Sequence, residues 1–494
     1  MSDQHTEKIR DYLNRTTIPT FKDFVKKNKT FLVQNSSIDD KLHSKWVNLY
    51  ITACRSVGVN PNTADKVDWG DVFIALVKAA KDNNDTKQQK PNPDSTTTPT
   101  ANAKASSSSS NNTTSRHMLT DTEKIYVESL YQKLKEENMW TLKTGRKVEK
   151  VMEECARDYT VEQGAHSLIV DPLDSVWGNY FTEEEREEIS STNAPELPPL
   201  TLQMTEYLQK FENLTDLDDL FNKANEDYFN PKKDAELYWL KQSIINALEI
   251  YYCGFLDKEV KSESDLLHRI WRPIYLCFDH SANISVTSGE KTSYASALRK
   301  KESKTETEAP SKFFGTRTDL LFFTPITMKE FGTAEMGLKS ATESNKSVNE
   351  LKLKVPKTMK DMLLRLIKLS PVEPDKIITC GFNISGVYLN QLVMDNPKGY
   401  VCRVSRFPVE LQYPVSPDNF IQLFKPILAT IYGTRIQMES TLKHIDDERK
   451  KAGIPSYGFK KTNNSNNIPI PPCFTPIPAQ RKRKNTSSNS NNSN

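Results

Sequence analysis

The sequence predicts an α/β (α+β) C-terminal domain preceded by mainly α-helical N-terminal modules and disordered linkers. Three observations lead to this fold class. Apolar residues recur at helical spacing over residues 1–80 and again over 118–192. Short apolar runs of strand length are mixed with helical patterns between residues 236 and 446. Residues 81–117 contain no Leu, Ile, Val, Met or aromatic residue, so they cannot bury enough apolar surface to offset the entropy of ordering.

Composition excludes several classes of protein. The 494 residues include only 16 Gly, and neither GxGxxG nor GxxxxGK[ST] occurs, which argues against folds built on Gly-rich phosphate loops. The seven Cys are widely spaced with no CxxC, a pattern typical of reduced thiols in a cytosolic or nuclear protein. The polar N-terminus and the lack of a long apolar run predict neither a signal peptide nor a membrane partner.

The first modules are expected to be helical. Residues 1–80 form one small helical module, in which a capping box at Ser37–Asp40 precedes an amphipathic stretch. After the linker 81–117, helical spacing returns over 118–235, which includes a Pro-rich joint near residue 198. We expect any protein partners to bind through these N-terminal helical modules.

Residues 236–446 are predicted to form one mixed domain. Helical patterns cover Leu237–Phe255, Glu263–Phe278 and Val348–Leu369, and a long helix closes the domain after Ser416. The predicted strands are Ile284–Thr287, Thr318–Phe323, Ile326–Phe331, Ile377–Ile384, Val387–Met394 and Tyr400–Val404.

The tail, residues 447–494, is predicted to be disordered and basic. The formal charge of the chain is +3, and Arg481, Lys482, Arg483 and Lys484 contribute +4, which leaves −1 for the rest. This basic run predicts a nuclear-import signal read by importin, and hence a nuclear protein, otherwise a cytoplasmic one. The alternative is a tail that only improves solubility.

Two carboxylates are candidates for a metal site. If Thr318–Phe323 and Ile326–Phe331 form a hairpin that turns at Thr324-Pro325, Asp319 lies opposite Glu330. Facing like charges are destabilising unless a cation compensates, and Mg²⁺ is commonly held by one or two carboxylates. The alternative is a solvated sheet face, and Glu335 offers a second register with a bulge at Gly332.

Glu263 is a candidate third acid. It precedes Leu266 and Leu267 by three and four residues, so it shares the face of the helix that carries the buried stripe. We expect its carboxylate to point toward the sheet. The alternative is that Glu263 only complements the helix dipole in the first turn.

The order of helix, three strands, helix and further strands, with motifs ESDLLHRIW, TRTDLLFF and ITMKEFGTAEMG, resembles the PD-(D/E)XK, or restriction-endonuclease-like, superfamily and its αβββαβ core. The resemblance covers residues 236–446. It implies a Mg-dependent nuclease acting on DNA phosphodiesters, in which Asp319 and Glu330 are catalytic and hold the metal and Glu263 supports the metal.

The resembled superfamily carries a lysine two residues after its second acid. In this sequence the residue two positions after Glu330 is Gly332, so the lysine is missing from its expected place. The resemblance allows a lysine from the next helix instead, with Lys352, Lys357 and Lys360 as candidates, and we take Lys352 and Lys360 as catalytic. Without such a lysine, the protein would be an inactive nucleic-acid-binding or protein-scaffold adaptor.

Two arginines are candidate nucleic-acid contacts. Arg403 and Arg406 lie in KGYVCRVSR, where basic residues alternate with Tyr400 and Val401, and both could bind phosphates beside the acidic pair. The alternative is a strand whose charges discourage aggregation. The chain also resembles uncharacterised proteins of an expanded family of mucoralean fungi, through SESDLLHRIWRP, KDMLLRL and GYVCRVSR, which implies no known activity.

Overall fold

A computed structural model describes most of the chain. The described residues are 2–36, 42–63, 67, 72, 117–258, 261–279, 281–302, 314–338, 353–370, 374–406, 409–453 and 469–476. The chain divides into two compact units, Met1–Ser109 and Ser110–Asn494. The predicted capping box at residues 37–40 and nearly all of the predicted linker 81–117 lie outside the described residues.

The first unit is helical in its described part. The helix α2 (Phe21–Lys27) starts where the Thr20 side chain accepts a hydrogen bond from the Asp23 amide, which satisfies an amide that the helix itself leaves unpaired. Its buried core includes Phe21, Trp46 and Tyr50. The helices are α1 (Ser2–Arg15), α2 (Phe21–Lys27), α3 (Lys29–Gln34) and α4 (Leu42–Ser56).

The second unit opens with short helices that pack on the later part of the chain. Tyr400, Val401 and Phe474 belong to the same hydrophobic cluster as residues 119–189. The predicted regions 118–235 and 236–446 therefore lie in one compact unit. Its first helices are α5 (Asp121–Gln132), α6 (Val148–Asp158), α7 (Glu183–Ser191), α8 (Leu202–Gln209) and α9 (Leu217–Glu226).

The later helices follow the sequence predictions with shifted ends. The predicted helix Glu263–Phe278 is two helices, because Pro273 lacks an amide hydrogen and its ring restricts the residue before it. Pro356 lies in the first turn of the helix Val355–Leu369, where its missing amide hydrogen costs no hydrogen bond within the helix. These helices are α10 (Ala235–Tyr252), α11 (Glu263–Arg269), α12 (Arg272–Asp279), α13 (Tyr294–Glu302), α14 (Val355–Leu369) and α15 (Phe420–Lys451).

One mixed sheet forms the centre of the second unit. Its order is β1-β7-β6-β5-β4-β3-β2, with β8 also paired to β6. The strands β2, β3 and β4 form an antiparallel meander, and β5 runs parallel to β4 after the crossover through α14. The strands are β1 (Ile169–Val170), β2 (Ser285–Thr292), β3 (Arg317–Phe323), β4 (Glu330–Gly337), β5 (Thr379–Ser385), β6 (Tyr388–Asp395), β7 (Cys402–Arg406) and β8 (Leu411–Gln412).

Helices cover both faces of the sheet. Phe322 of β3 contacts Phe278 of α12, with ring centroids 4.7 Å apart. Its neighbour Leu321 points to the opposite face and clusters with Ala295 of α13 and Met362 of α14. The side of the sheet covered by α13 and α14 is called the α14 face below.

The tail differs from its prediction in two places. The helix α15 continues to Lys451, beyond the predicted domain end at residue 446. Residues 469–476 pack against the second unit, and Cys473 and Phe474 are almost completely buried. These two residues carry enough apolar surface for the segment to be ordered, although Asn and Ser dominate its surroundings.

Candidate functional site

The predicted pairing of Asp319 with Glu330 is wrong. The strands β3 and β4 are joined by a longer loop, in which the amide of Thr324 donates to the carbonyl of Lys329. Glu330 therefore pairs with Phe323 at the start of β4, and a bulge follows before Phe322 pairs with Gly332. The longer loop and the bulge move the acidic residue by several positions relative to a tight turn at Thr324-Pro325.

Glu330 holds the N-terminus of a helix. Its carboxylate accepts hydrogen bonds from the hydroxyl of Ser293 (2.9 Å) and from the amides of Tyr294 (2.6 Å) and Ala295 (2.9 Å). These amides belong to the first turn of α13, which has no partners for them within the helix and attracts negative charge. Glu330 is buried, so this contact replaces the catalytic and metal-binding role predicted for it.

A different glutamate of β4 lies next to Asp319. Leu320 pairs with Ala334, and one further step in this register places Asp319 opposite Glu335. The Asp319 carboxylate accepts a hydrogen bond from the amide of Met336 at 2.7 Å, which ties it to the residue after Glu335. Side chains alternate along strands, so Asp319 and Glu335 both lie on the α14 face. This pairing agrees with the second register that the sequence offered, but the bulge lies at Phe331 and not at the predicted Gly332, which pairs with Phe322.

A lysine completes this group. The ammonium of Lys354 donates to Glu335 Oε2 at 2.5 Å, and Glu335 is only 3% exposed. The sequence prediction named other lysines and missed Lys354. Because α14 runs back across the parallel pair β4 and β5, its N-terminus lies near the end of β4. The lysine closest to the start of this helix is therefore the one that reaches Glu335.

We call Asp319, Glu335 and Lys354 the β4 carboxylate site. Burial raises the pKa of the Tyr275 phenol in α12, and the negative charge of Asp319 contributes to this shift. Glu263 is half-buried in the first turn of α11, a helix that packs against β4. Within the described ranges no three His, Cys, Asp or Glu side chains form a group able to hold a metal ion, so Glu263 does not join the pair.

The other predicted lysines lie elsewhere or outside the described residues. Lys352 lies outside them. Lys360 is fully buried and donates to the carbonyl of Ser167 at 2.6 Å, so its ammonium cannot serve a substrate without leaving this contact. Lys357 forms an ion pair with Glu162.

The predicted nucleic-acid contacts are ion-paired. Arg403 has no exposed surface: it binds Asp395 and donates to the carbonyls of Ile189 and Thr192, both at 2.7 Å. It therefore joins β6 and β7 to the end of α7 and is not available to a phosphate, contrary to the prediction. Arg406 is 17% exposed and binds Asp171 at 2.7 Å. The basic run at residues 481–484 lies outside the described residues, so nuclear import through it stays a prediction.

Comparison with known protein families, with curated proteins and with solved structures gives no match for this chain. In the described parts of the chain, every helix is too short or too polar to cross a membrane. The function is therefore argued from the β4 carboxylate site alone.

Proposed function

We propose that the protein is a Mg²⁺-dependent nuclease of the PD-(D/E)XK type, with Asp319 and Glu335 as the metal carboxylates and Lys354 as the catalytic lysine. The observation that carries this proposal is the convergence of these three residues, which come from β3, β4 and the start of α14. Glu335 and Lys354 replace Glu330 and the lysines predicted from the sequence.

The topology around the site supports this proposal. The helix α11, the strands β2, β3 and β4, the helix α14 and the parallel strand β5 occur in this order along the chain, and α12 before β2 and α13 between β2 and β3 are additions to the αβββαβ order of the resembled core. The two acids lie on the second and third strands of the meander, where the resembled superfamily carries its acids.

The donor set fits a hard divalent cation. Carboxylate oxygens are the ligands that Mg²⁺ prefers, and the ion usually takes only one or two of them, together with water and phosphate oxygens. Two carboxylates on neighbouring strands therefore suffice without Glu263. When bound, the ion would polarise the phosphate and lower the pKa of a water molecule.

The chain's own residues have separate roles in this proposal. The amide of Met336 fixes the orientation of Asp319 through the 2.7 Å hydrogen bond. Glu335 holds the Lys354 ammonium at the surface of α14, where the lysine side chain is 35% exposed. An ammonium placed there would stabilise the negative charge that develops on the phosphate during hydrolysis.

The test is a cleavage assay with Mg²⁺ or Mn²⁺ on single- and double-stranded DNA and RNA. We expect cleavage of DNA by the wild type and a loss of at least about 100-fold in Asp319→Asn, Glu335→Gln and Lys354→Met, as for other groups that act in the transition state. Calorimetry should show Mg²⁺ binding to the wild type that is weaker in Glu335→Gln.

Matched controls come from the same elements. Glu290→Gln removes an exposed carboxylate of β2 that pairs with Arg317, and Lys368→Met removes an exposed lysine of α14 that pairs with Glu302. Both variants should cleave like the wild type. Absence of cleavage and of Mg²⁺ binding in the wild type would contradict the proposal and favour the inactive adaptor. Cleavage of RNA alone would support the proposed site but would show that the substrate is RNA and not DNA.

A further inference from the structure

Helix α13 presents an aromatic ring and a positive charge on one exposed face. At 3.6 residues per turn, Tyr294, Ala297 and Lys301 lie on the same side of this helix. Tyr294 is 50% exposed, and Lys301 is also exposed. A large aromatic side chain in this position contributes little to the core, so its exposure calls for another explanation.

Two further side chains border this face. The guanidinium carbon of Arg365 in α14 lies 4.2 Å from the centre of the Tyr294 ring. Phe314 is 66% exposed, and its carbonyl accepts a hydrogen bond from the ammonium of Lys300 in α13 at 3.3 Å. We call Tyr294, Lys301, Phe314 and Arg365 the α13 surface.

The positive charge of Arg365 is only partly compensated. Its Nη1 atom is buried and makes no hydrogen bond with the described residues. Burial lowers the pKa of its guanidinium, and the negative charge of Glu330 opposes this shift. The Glu330 carboxylate is itself bound to the hydroxyl and amides at the start of α13. An anion bound near Arg365 would therefore stabilise the charged guanidinium.

The acidic residues of the two helices are paired with other cations. The sequences of α13 and α14 contain one acid each, Glu302 and Asp361. Asp361 binds Arg299 at 2.7 Å, and Glu302 binds Lys368 at 2.9 Å. These pairs are neutral, so the two cations of the α13 surface give it an excess of positive charge, which attracts a polyanion.

Exposed aromatic rings beside cations are suited to single-stranded nucleic acid. Every base has a flat face that can stack on an aromatic side chain, while nearby cations bind the phosphates. The bases of a duplex already stack on one another and are not available to Tyr294 or Phe314. The two rings therefore favour a single strand over a duplex.

The α13 surface lies within reach of the β4 carboxylate site. Glu330, which caps α13, precedes Glu335 by five residues of β4, or ~16 Å. Arg365 follows Lys354 by eleven residues along α14, which is also ~16 Å. A stacked strand rises ~3.4 Å per nucleotide, so about five nucleotides would connect the two places.

We propose that the α13 surface binds single-stranded nucleic acid, with bases stacked on Tyr294 and Phe314 and phosphates held beside Lys301 and Arg365. The ligand class rests on the proposed function, because a nuclease must hold the strand that it cleaves. The proposal adds that this strand is unpaired, which the two carboxylates and the lysine of the β4 carboxylate site do not specify.

The experiment measures binding of a fluorescent deoxythymidine 20-mer by anisotropy, with the full-length wild type and EDTA present. EDTA removes the divalent cation that cleavage would require, so binding is measured without hydrolysis. We expect the single strand to bind at least about tenfold more tightly than a 20-base-pair duplex. Tyr294→Ala and Phe314→Ala should each weaken binding of the single strand at least about fivefold, the loss expected for one stacked base.

Further variants separate stacking from charge. Tyr294→Phe keeps the ring and should bind like the wild type. Lys301→Gln and Arg365→Gln should each reduce the slope of log Kd against log salt by about 0.7, the value for one phosphate contact with a single strand. The controls are Tyr228→Ala, which removes a ring that is 84% exposed between α9 and α10, and Lys443→Gln, which removes an exposed lysine of α15. Both controls should bind like the wild type.

Three outcomes would overturn the proposal. They are no binding of the single strand by the wild type, unchanged binding in both ring variants, and displacement of the strand by polyglutamate as effectively as by unlabelled strand. The last result would assign the surface to an acidic peptide. Thermal unfolding checks that the variants are folded, which we expect because Tyr294 and Phe314 lie at the surface.

The same measurements distinguish this proposal from the nuclease proposal. Binding through the two rings without cleavage of any substrate would support the α13 surface and contradict the nuclease. Cleavage by the wild type, together with unchanged binding in both ring variants, would support the nuclease and contradict the α13 surface.

Discussion

Individual charged residues in this protein divide into those that hold the fold and those that remain accessible. Arg403 belongs to the first group, since its guanidinium bridges Asp395 and the carbonyls at the end of α7 with no exposed surface. Removing one partner of a buried ion pair leaves an uncompensated charge, and the planar fork of arginine is not reproduced by lysine.

We therefore predict that Arg403→Lys lowers the free energy of unfolding by about 3 kcal/mol, because lysine keeps the charge but leaves the buried carbonyl oxygens of Ile189 and Thr192 without donors. Urea denaturation followed by circular dichroism measures this change. The matched control is Arg317→Lys in β3, whose ion pair with Glu290 is exposed on both sides and should contribute little. Equal effects of the two substitutions would contradict the buried role of Arg403.

At the scale of elements, β4 is packed too closely for any added side-chain atom at one position. A Cβ at residue 332 would lie 2.5 Å from the carbonyl oxygen of Cys380 and closer still to the Met438 methyl group of α15. Both the neighbouring strand β5 and the helix above it would have to shift. Overpacking of this kind typically costs 1–3 kcal/mol.

We predict that Gly332→Ala lowers the free energy of unfolding by about 2 kcal/mol and reduces Mg²⁺ affinity if the β4 carboxylate site binds the ion. Thermal unfolding without Mg²⁺ measures the change in stability, and the stabilisation that added Mg²⁺ produces reports the Mg²⁺ affinity. Gly178→Ala is the control, because a Cβ at that position meets no atom within 4 Å. A variant at 332 as stable as the wild type would show that β4 and α15 can separate without cost.

The strand β4 also shows which features of the fold can be predicted from the sequence and which cannot. The existence of β3, β4 and α14 follows from local apolar patterns, which the sequence displays directly. The register does not, because it depends on the loop Thr324–Lys329 and on the bulge after Glu330. Glu330 and Glu335 look equivalent in the sequence. Only this register shows that Glu330 caps α13 and that Glu335 lies opposite Asp319.

The sequence also does not show which charged side chains are buried in the folded protein. Arg403 and Lys360 occur in patterns that also suit a basic surface, yet both are fully buried by residues more than 190 positions away. The sequence does not single out Lys354 either, because its contact with Glu335 depends on the path of α14 across the sheet. Tertiary contacts between distant segments decide all three cases.

At the scale of the whole molecule, His166 connects the early helices to the tail. It is fully buried, and its ring lies 6.3 Å from that of Phe474, which belongs to the tail residues 469–476. Its Nδ1 accepts from the amide of Gln163 at 2.8 Å, and Nε2 bonds to the carbonyl of Ala156 at 3.0 Å. A second ring proton would face the Gln163 amide hydrogen, so the folded protein holds this imidazole neutral.

The pH dependence follows from this arrangement. Burial lowers the pKa of His166 below its ordinary value of 6.5, although bonds to backbone carbonyls oppose the shift. Below pH 6.5 the unfolded chain binds a proton at this residue that the folded protein does not, so acidification favours unfolding. Burial raises the pKa values of Glu149 and Asp171, which has the opposite effect at lower pH. The difference in pH dependence between the wild type and a variant without His166 isolates the contribution of the histidine to stability.

We predict that lowering the pH from 6.5 to 5.5 costs the wild type up to about 1 kcal/mol more than His166→Gln, which cannot gain a proton. Urea unfolding of both proteins at the two pH values measures this difference. Labelling of Cys473, measured relative to the exposed Cys253 at the same pH, should also accelerate at pH 5.5 in the wild type alone, because acidification favours the unfolded state in which His166 is protonated. Parallel stability curves for the two proteins would mean that His166 accepts a proton in the folded state, and the packing of residues 469–476 would then be insensitive to pH.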